Sequence, residues 1–191
     1  MKTTNLKLML GSFLMLFLIT SCKNEAKKEN TTTPTPASAD TEKTGQAFIE
    51  DDGSTPNVLQ IAIGSPDHTT LVAAVQAAEL ENALVNAGPL MVFAPTNAAF
   101  DALPEGTVTD LLKPENKNAL ANILKHHVTA GNYDKEFLKK FKKLGQANDQ
   151  NTTVEVKGDD VYVGGAKIVA SISAGNGIVH VVDKVILPPT E

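Results

Sequence analysis

The spacing of hydrophobic residues changes at Gly145, and that change limits the possible folds more than any other feature of the chain. Before it, apolar side chains recur at intervals of three and four. Val58, Leu59, Ala62 and Ile63 form one set, and Leu71, Val72, Val75 and Ala78 a second, after the turn Gly64-Ser65-Pro66-Asp67. Leu80 and Leu84 predict a short third helix ended by Ala87-Gly88-Pro89, and residues 108–112 another. Leu120, Ile123, Leu124 and His127 mark a longer one, and Phe137, Leu138, Phe141 and Leu144 one more. This is the period of helices that turn one face to a core. A single apolar run interrupts them, Leu90-Met91-Val92-Phe93, which is closed by Pro95 and predicts a buried strand. Thr96 and Asn97 follow it as N-cap candidates for a helix carrying Ala98, Ala99, Phe100 and Leu103.

Beyond Gly145 the pattern alternates. Residues 153–156 and 161–163 flank Lys157-Gly158-Asp159-Asp160, which predicts a hairpin. A strand at residues 167–170 follows Gly164-Gly165, and a long β-branched strand is expected over residues 177–187, before Pro188-Pro189. Helices gathered first and strands gathered last predict an α+β fold rather than an alternating α/β one.

The N-terminus predicts an address rather than a fold. Lys2 and Lys7 precede an apolar run over residues 8–19, which matches a secretory signal peptide and is short for a membrane span. It ends in Ile19-Thr20-Ser21-Cys22, which resembles a lipobox, and Cys22 is the single cysteine of the chain. An ordinary signal peptide with an incidental cysteine is the alternative. The cysteine stands directly after two small residues and opens a polar tail, which favours lipidation. Residues 1–21 are thus expected to be a lipoprotein signal peptide, with Cys22 as the lipidated terminus. Two acyl chains would anchor it stably to a membrane, where one binds reversibly. Residues 22–55 hold almost no large apolar side chains and are expected to be a disordered stalk. As a random coil that stalk would reach about 30 Å. The expected location is a bacterial cell envelope, at the outer membrane, with the periplasmic and surface faces both open.

Three segments of residues 56–189 carry a resemblance. Leu90-Met91-Val92-Phe93-Ala94-Pro95-Thr96-Asn97-Ala98-Ala99-Phe100 resembles the first signature of the fasciclin-like domain family. Asn176-Gly177-Ile178-Val179-His180-Val181-Val182-Asp183-Lys184-Val185-Ile186-Leu187-Pro188 resembles the second. Between them, Ile123-Leu124-Lys125-His126-His127-Val128 stands where the family has a Tyr-His motif, with His126 in place of the tyrosine. The resemblance implies helices packed on a wedge-shaped β-sandwich, no catalytic activity, and a cell-surface or secreted role in adhesion. The integrin association of the Tyr-His region in animal members is not carried over, because His126 departs from it.

The chemistry legible in the residues agrees with a binding role. The formal charge is −5 and no arginine occurs among the 17 basic residues, which excludes a nucleic-acid binder. No G-x-S-x-G, S-x-x-K or phosphate-loop pattern is present, so an enzyme is not expected. A metal site would need His127 and His180 to converge with Asp183. No H-x-x-x-H pair supports one, and neither metal nor cofactor is expected. His127 and His180 are expected to make structural hydrogen bonds, and Thr96 and Asn97 to cap a helix, with direct ligand contact as the alternative. Lys135, Lys139, Lys140, Lys142 and Lys143 cluster, with Lys135, Lys139 and Lys142 expected on one helix face opposite Phe137 and Phe141. That face is either merely solvated or a patch for an anionic partner. The function expected is a membrane-held adhesion or interaction module with a protein or polysaccharide partner. The alternatives are an envelope-facing binder of a small molecule or glycan, using a pocket between helices and sandwich, and an enzyme of unknown class.

Overall fold

The computed structural model describes residues 55–86 and 88–189; Cys22, the expected signal peptide and nearly all of the expected stalk lie outside the described residues. Asn57 opens α1 (Val58–Ile63). Its Oδ1 accepts from the N–H groups of Leu59 and Gln60 at 3.0 and 2.9 Å, and Gln60 Oε1 accepts from Asn57 N–H at 2.9 Å. This reciprocal cap satisfies donors that a six-residue helix cannot satisfy internally. A 3-10 turn at Pro66–His68 leads to α2 (Thr69–Ala77) and α3 (Glu81–Asn86). Next come β1 (Leu90–Pro95), α4 (Asn97–Asp101), α5 (Thr107–Leu111), α6 (Lys117–His126), β2 (Val128–Ala130) and α7 (Lys135–Leu138). The rest is strand: β3 (Lys143–Gly145), β4 (Asn151–Lys157), β5 (Asp160–Val163), β6 (Ala166–Ala174) and β7 (Gly177–Val182).

Among the described residues these strands form one seven-stranded sheet in the order β2-β1-β7-β6-β5-β4-β3. The β1–β7 pair is parallel and the others are antiparallel. The sheet curls until its ends meet. Ala147 N–H, just past β3, donates to Val128 O in β2 at 2.7 Å. The α+β fold is therefore helices laid on a sheet that folds over itself, which is how the sandwich is made.

Strands β1 and β7 are buried on both faces and serve two cores. Leu90, Val92 and Ala94, with Val179, pack on Val58, Leu59, Leu71, Val75, Leu120 and Leu124 of the helices. Met91 and Phe93, with Ile178 and Val182, face the sandwich interior against Leu138, Leu144, Val161, Val163 and Ile168. Each fully buried large aliphatic side chain contributes about 1.5–3 kcal/mol, so neither face of this strand pair can be made polar cheaply. Gly177 stands opposite Leu90 in the parallel register, and a Cβ there would lie 1.8 Å from the Leu90 carbonyl oxygen. Only glycine lets β7 enter beside β1.

Two elements differ from expectation. The helix expected to reach Leu144 stops at Leu138. Lys142 O accepts from Val154 N–H at 2.9 Å, and Lys143–Gly145 pair with β4, so strand pairing overrides the local helical period. The last strand, expected to reach Leu187, ends at Val182. There Asp183 clamps the chain to Lys167: its carboxylate accepts from Lys167 N–H at 2.7 Å, and its N–H donates to Lys167 O at 3.2 Å.

Candidate functional site

The turn after β1 sets Thr96 and Asn97 to different tasks. Thr96 Oγ1 accepts from Ala99 N–H at 3.3 Å and caps α4. Asn97 reaches another helix. Its Oδ1 accepts from Thr70 N–H at 3.0 Å and from the Thr69 hydroxyl at 3.2 Å, while Nδ2 donates to Pro66 O at 3.0 Å. His68, the residue before α2, makes no side-chain cap, so Asn97 supplies the cap from a distance.

The His126-His127 pair ends α6 and is buried, as is His180 on β7. Asn148 Oδ1 can only accept, so His126 Nδ1 donates to it at 3.1 Å, and the Thr152 hydroxyl donates to Nε2 at 2.9 Å. The same logic fixes His127. Nδ1 donates to Ile123 O at 2.8 Å and Nε2 accepts from Ile186 N–H at 2.9 Å. That arrangement holds only for the neutral ring, and burial pushes the His127 pKa down to about 4. His180 Nε2 donates to Tyr133 O at 2.9 Å, the Ser171 hydroxyl donates to Nδ1 at 2.8 Å, and the ring stacks on Phe93. Burial holds its pKa below the ordinary value against the pull of the Tyr133 carbonyl.

These residues are structural ties to different partners. His127 holds the chain after β7, His180 ties β7 to the loop before α7, and Asp183 ties β7 to β6. His127, His180 and Asp183 do not form a ligand set, and no metal-holding group of three such residues occurs among the described residues.

The lysine cluster is rearranged relative to expectation. Because α7 is one turn long, Lys135, Lys139 and Lys142 do not share a helix face. Lys135 lies 3.9 Å from Asp160, and Lys139 bonds Glu136 at 2.8 Å, which raises its pKa. Lys140, Lys142 and Lys143 are exposed and have no acidic partner among the described residues. Lys140 borders an aromatic trio, of which Phe137 and Phe141 are the pair expected on a helix face. Tyr133, Phe137 and Phe141 have ring centroids 5.2–5.6 Å apart, Lys140 Nζ sits 4.5 Å over the Phe137 ring, and Phe137 is 40% exposed.

The pocket between helices and sandwich, expected only for the small-molecule alternative, is present, though the sequence names no lining residue for it. A cavity of about 240 Å³ lies between α1, α2, α3 and the helix-facing side of β1. Left empty in a closed core, such a void would cost about 6 kcal/mol at ~24 cal/mol per Å³. That approaches the entire stability of a small domain, roughly 5–15 kcal/mol. This one opens to solvent, because Ala83, Lys125 and Ala147 in its lining are exposed. Asn176 sets one wall: Oδ1 accepts from Val58 N–H at 2.9 Å and Nδ2 donates to Leu84 O at 2.8 Å, joining α1 to α3. A turn asparagine bonded across 118 and 92 residues leaves no periodic trace in a sequence.

The geometry defines a class first: an α+β domain on a folded sheet, whose motif residues tie its parts together. The chain belongs to the fasciclin domain family, whose model, Fasciclin domain, matches residues 66–188. It is similar to "Protein sll1483" of Synechocystis sp., 42% identical over 160 residues, covering 82% of this chain and 88% of that one. "Cell surface glycolipoprotein MPB83" of Mycobacterium bovis is 38% identical over 108 residues, 56% of this chain and 47% of that one. Among solved structures, a FAS1 domain pair from the insect cell adhesion molecule Fasciclin I matches with a TM-score of 0.48 at 18% identity, covering 59% of this chain and 42% of that one.

Proposed function

We propose that this chain is a lipid-anchored cell-envelope adhesion module that acts by contact rather than by catalysis. One contrast carries the reading. The motif histidines and amides are spent on internal ties, whereas Lys140, Lys142 and Lys143 stand exposed with no acidic partner among the described residues, and Lys140 lies over the Phe137 ring. Three exposed cations, one of them over an aromatic face, suit an acidic polysaccharide: the charges attract it, and sugar C–H faces pack on the ring. The lipobox-like Cys22 would hold the domain at the outer membrane, and residues 22–55 would space it from the lipid. The name of the mycobacterial relative, a cell-surface glycolipoprotein, supports an envelope placement.

Two experiments test this reading. Replacing Cys22→Ala should move the chain from the membrane to the soluble fraction; continued membrane retention overturns the anchor. Cells displaying the native chain should attach to an alginate-coated surface, and the triple variant Lys140→Gln/Lys142→Gln/Lys143→Gln should lose most of that attachment. Equal attachment by the triple variant overturns the contact surface. External protease on intact cells separates the two membrane faces, since a periplasmic domain survives it.

A further inference from the structure

We propose that the cavity between α1–α3 and β1 binds a carboxylate-headed aliphatic chain of medium length. Leu59, Leu71, Val75, Leu84, Val92 and Leu124 wall its depth, and no charged group lies among them. His127 also borders it, but both ring nitrogens are already engaged by Ile123 and Ile186. A sugar or nucleotide placed there would bury hydroxyl or phosphate groups without partners, which is strongly unfavourable. An apolar guest meets no such penalty, and apolar cavities take up hydrocarbon.

The volume sets the length. About 240 Å³ holds roughly eight groups of ~30 Å³, the share of one water in the liquid and close to that of a methylene. The mouth sets the head group. Lys125, at the end of α6, is the only charged residue of the lining; it is exposed and has no acidic partner among the described residues. An anionic head at Lys125 with its tail between α2 and β1 fits both features, and decanoate is a suitable probe. The way in is the α3 wall, which has no buried residue of its own and is pinned by the Asn176–Leu84 bond. This site is separate from the lysine–aromatic surface and stands or falls independently of it.

The test is methyl-detected NMR of the full-length chain titrated with decanoate and, in parallel, with 1-decanol. The methyl signals of Leu71, Val75, Leu84 and Leu124 should shift with both. Lys125→Gln should weaken decanoate roughly fivefold, the upper range for one exposed ion pair, and leave 1-decanol unchanged. Ala83→Trp, at the exposed rim, should block both ligands while its ligand-free core methyl signals match those of the native chain. Val75→Phe, which fills the cavity from within, should do the same, and either variant alone suffices if the other fails to fold. Absence of lining-methyl shifts, or shifts confined to the exposed Val169 and Ile172, overturns the site. Equal weakening of decanoate and decanol by Lys125→Gln overturns the carboxylate assignment.

Discussion

Lowering the pH from 7 to 5 should cost the folded domain about 2 kcal/mol through His127 alone. In the native state this ring is neutral, with Nδ1 donating to Ile123 O and Nε2 accepting from Ile186 N–H, and its pKa lies at about 4. In the unfolded chain it titrates near its ordinary value of 6.5. Between those values the unfolded state binds more protons, so stability is present above pH 6.5 and falls as pH drops toward 4. The full difference, 2.5 pKa units at ~1.36 kcal/mol each, is about 3 kcal/mol, of which about 2 is lost by pH 5. His68 and His180, also held low by burial, add in the same direction. Urea unfolding at pH 7 and pH 5 measures the total, and His127→Gln isolates the share of this ring. Glutamine keeps one donor and one acceptor but does not titrate, so the pH 7-to-5 loss should shrink by about 2 kcal/mol. An identical pH dependence in the native and His127→Gln chains would mean that this ring does not carry the loss.

Three further outcomes follow from the same structure. Asn97→Ala should destabilise the domain by about 1–2 kcal/mol, because it strips the remote cap from α2; Asn97→Asp, which keeps the acceptor, should recover part of that in urea unfolding. Gly177→Ala should prevent native folding, read as loss of soluble protein, since its Cβ would overlap the Leu90 carbonyl. Asn176→Ala should speed hydrogen exchange in α3 more than in β1, because it releases Leu84 O while leaving the sheet pairing intact.

The sequence reveals local order well and long-range ties poorly. The apolar spacing of α1, the buried run of β1 and the Gly158-Asp159 turn all act within a few residues, so their patterns are visible in the chain. The α7 region misled because Phe137, Leu138, Phe141 and Leu144 do follow a helical period. Their actual placement is decided by β4, which claims Lys143–Gly145 as a partner strand. The candidate site divides in the same way. The structural role of the histidines could be expected from their apolar neighbours, but their partners Asn148, Thr152, Ser171 and Ile186 could not. The trans cap by Asn97 and the Asn176 clamp depend on tertiary closure, and so does the cavity between the helices and β1.

Contact through an exposed cationic and aromatic surface can be measured by surface plasmon resonance on immobilised alginate. The native full-length chain should bind, and its affinity should fall steeply as salt is raised. The Lys140→Gln/Lys142→Gln/Lys143→Gln variant should bind at least about tenfold more weakly, with a flatter salt dependence. Equal affinity and equal salt dependence for the two chains would contradict that mode of contact.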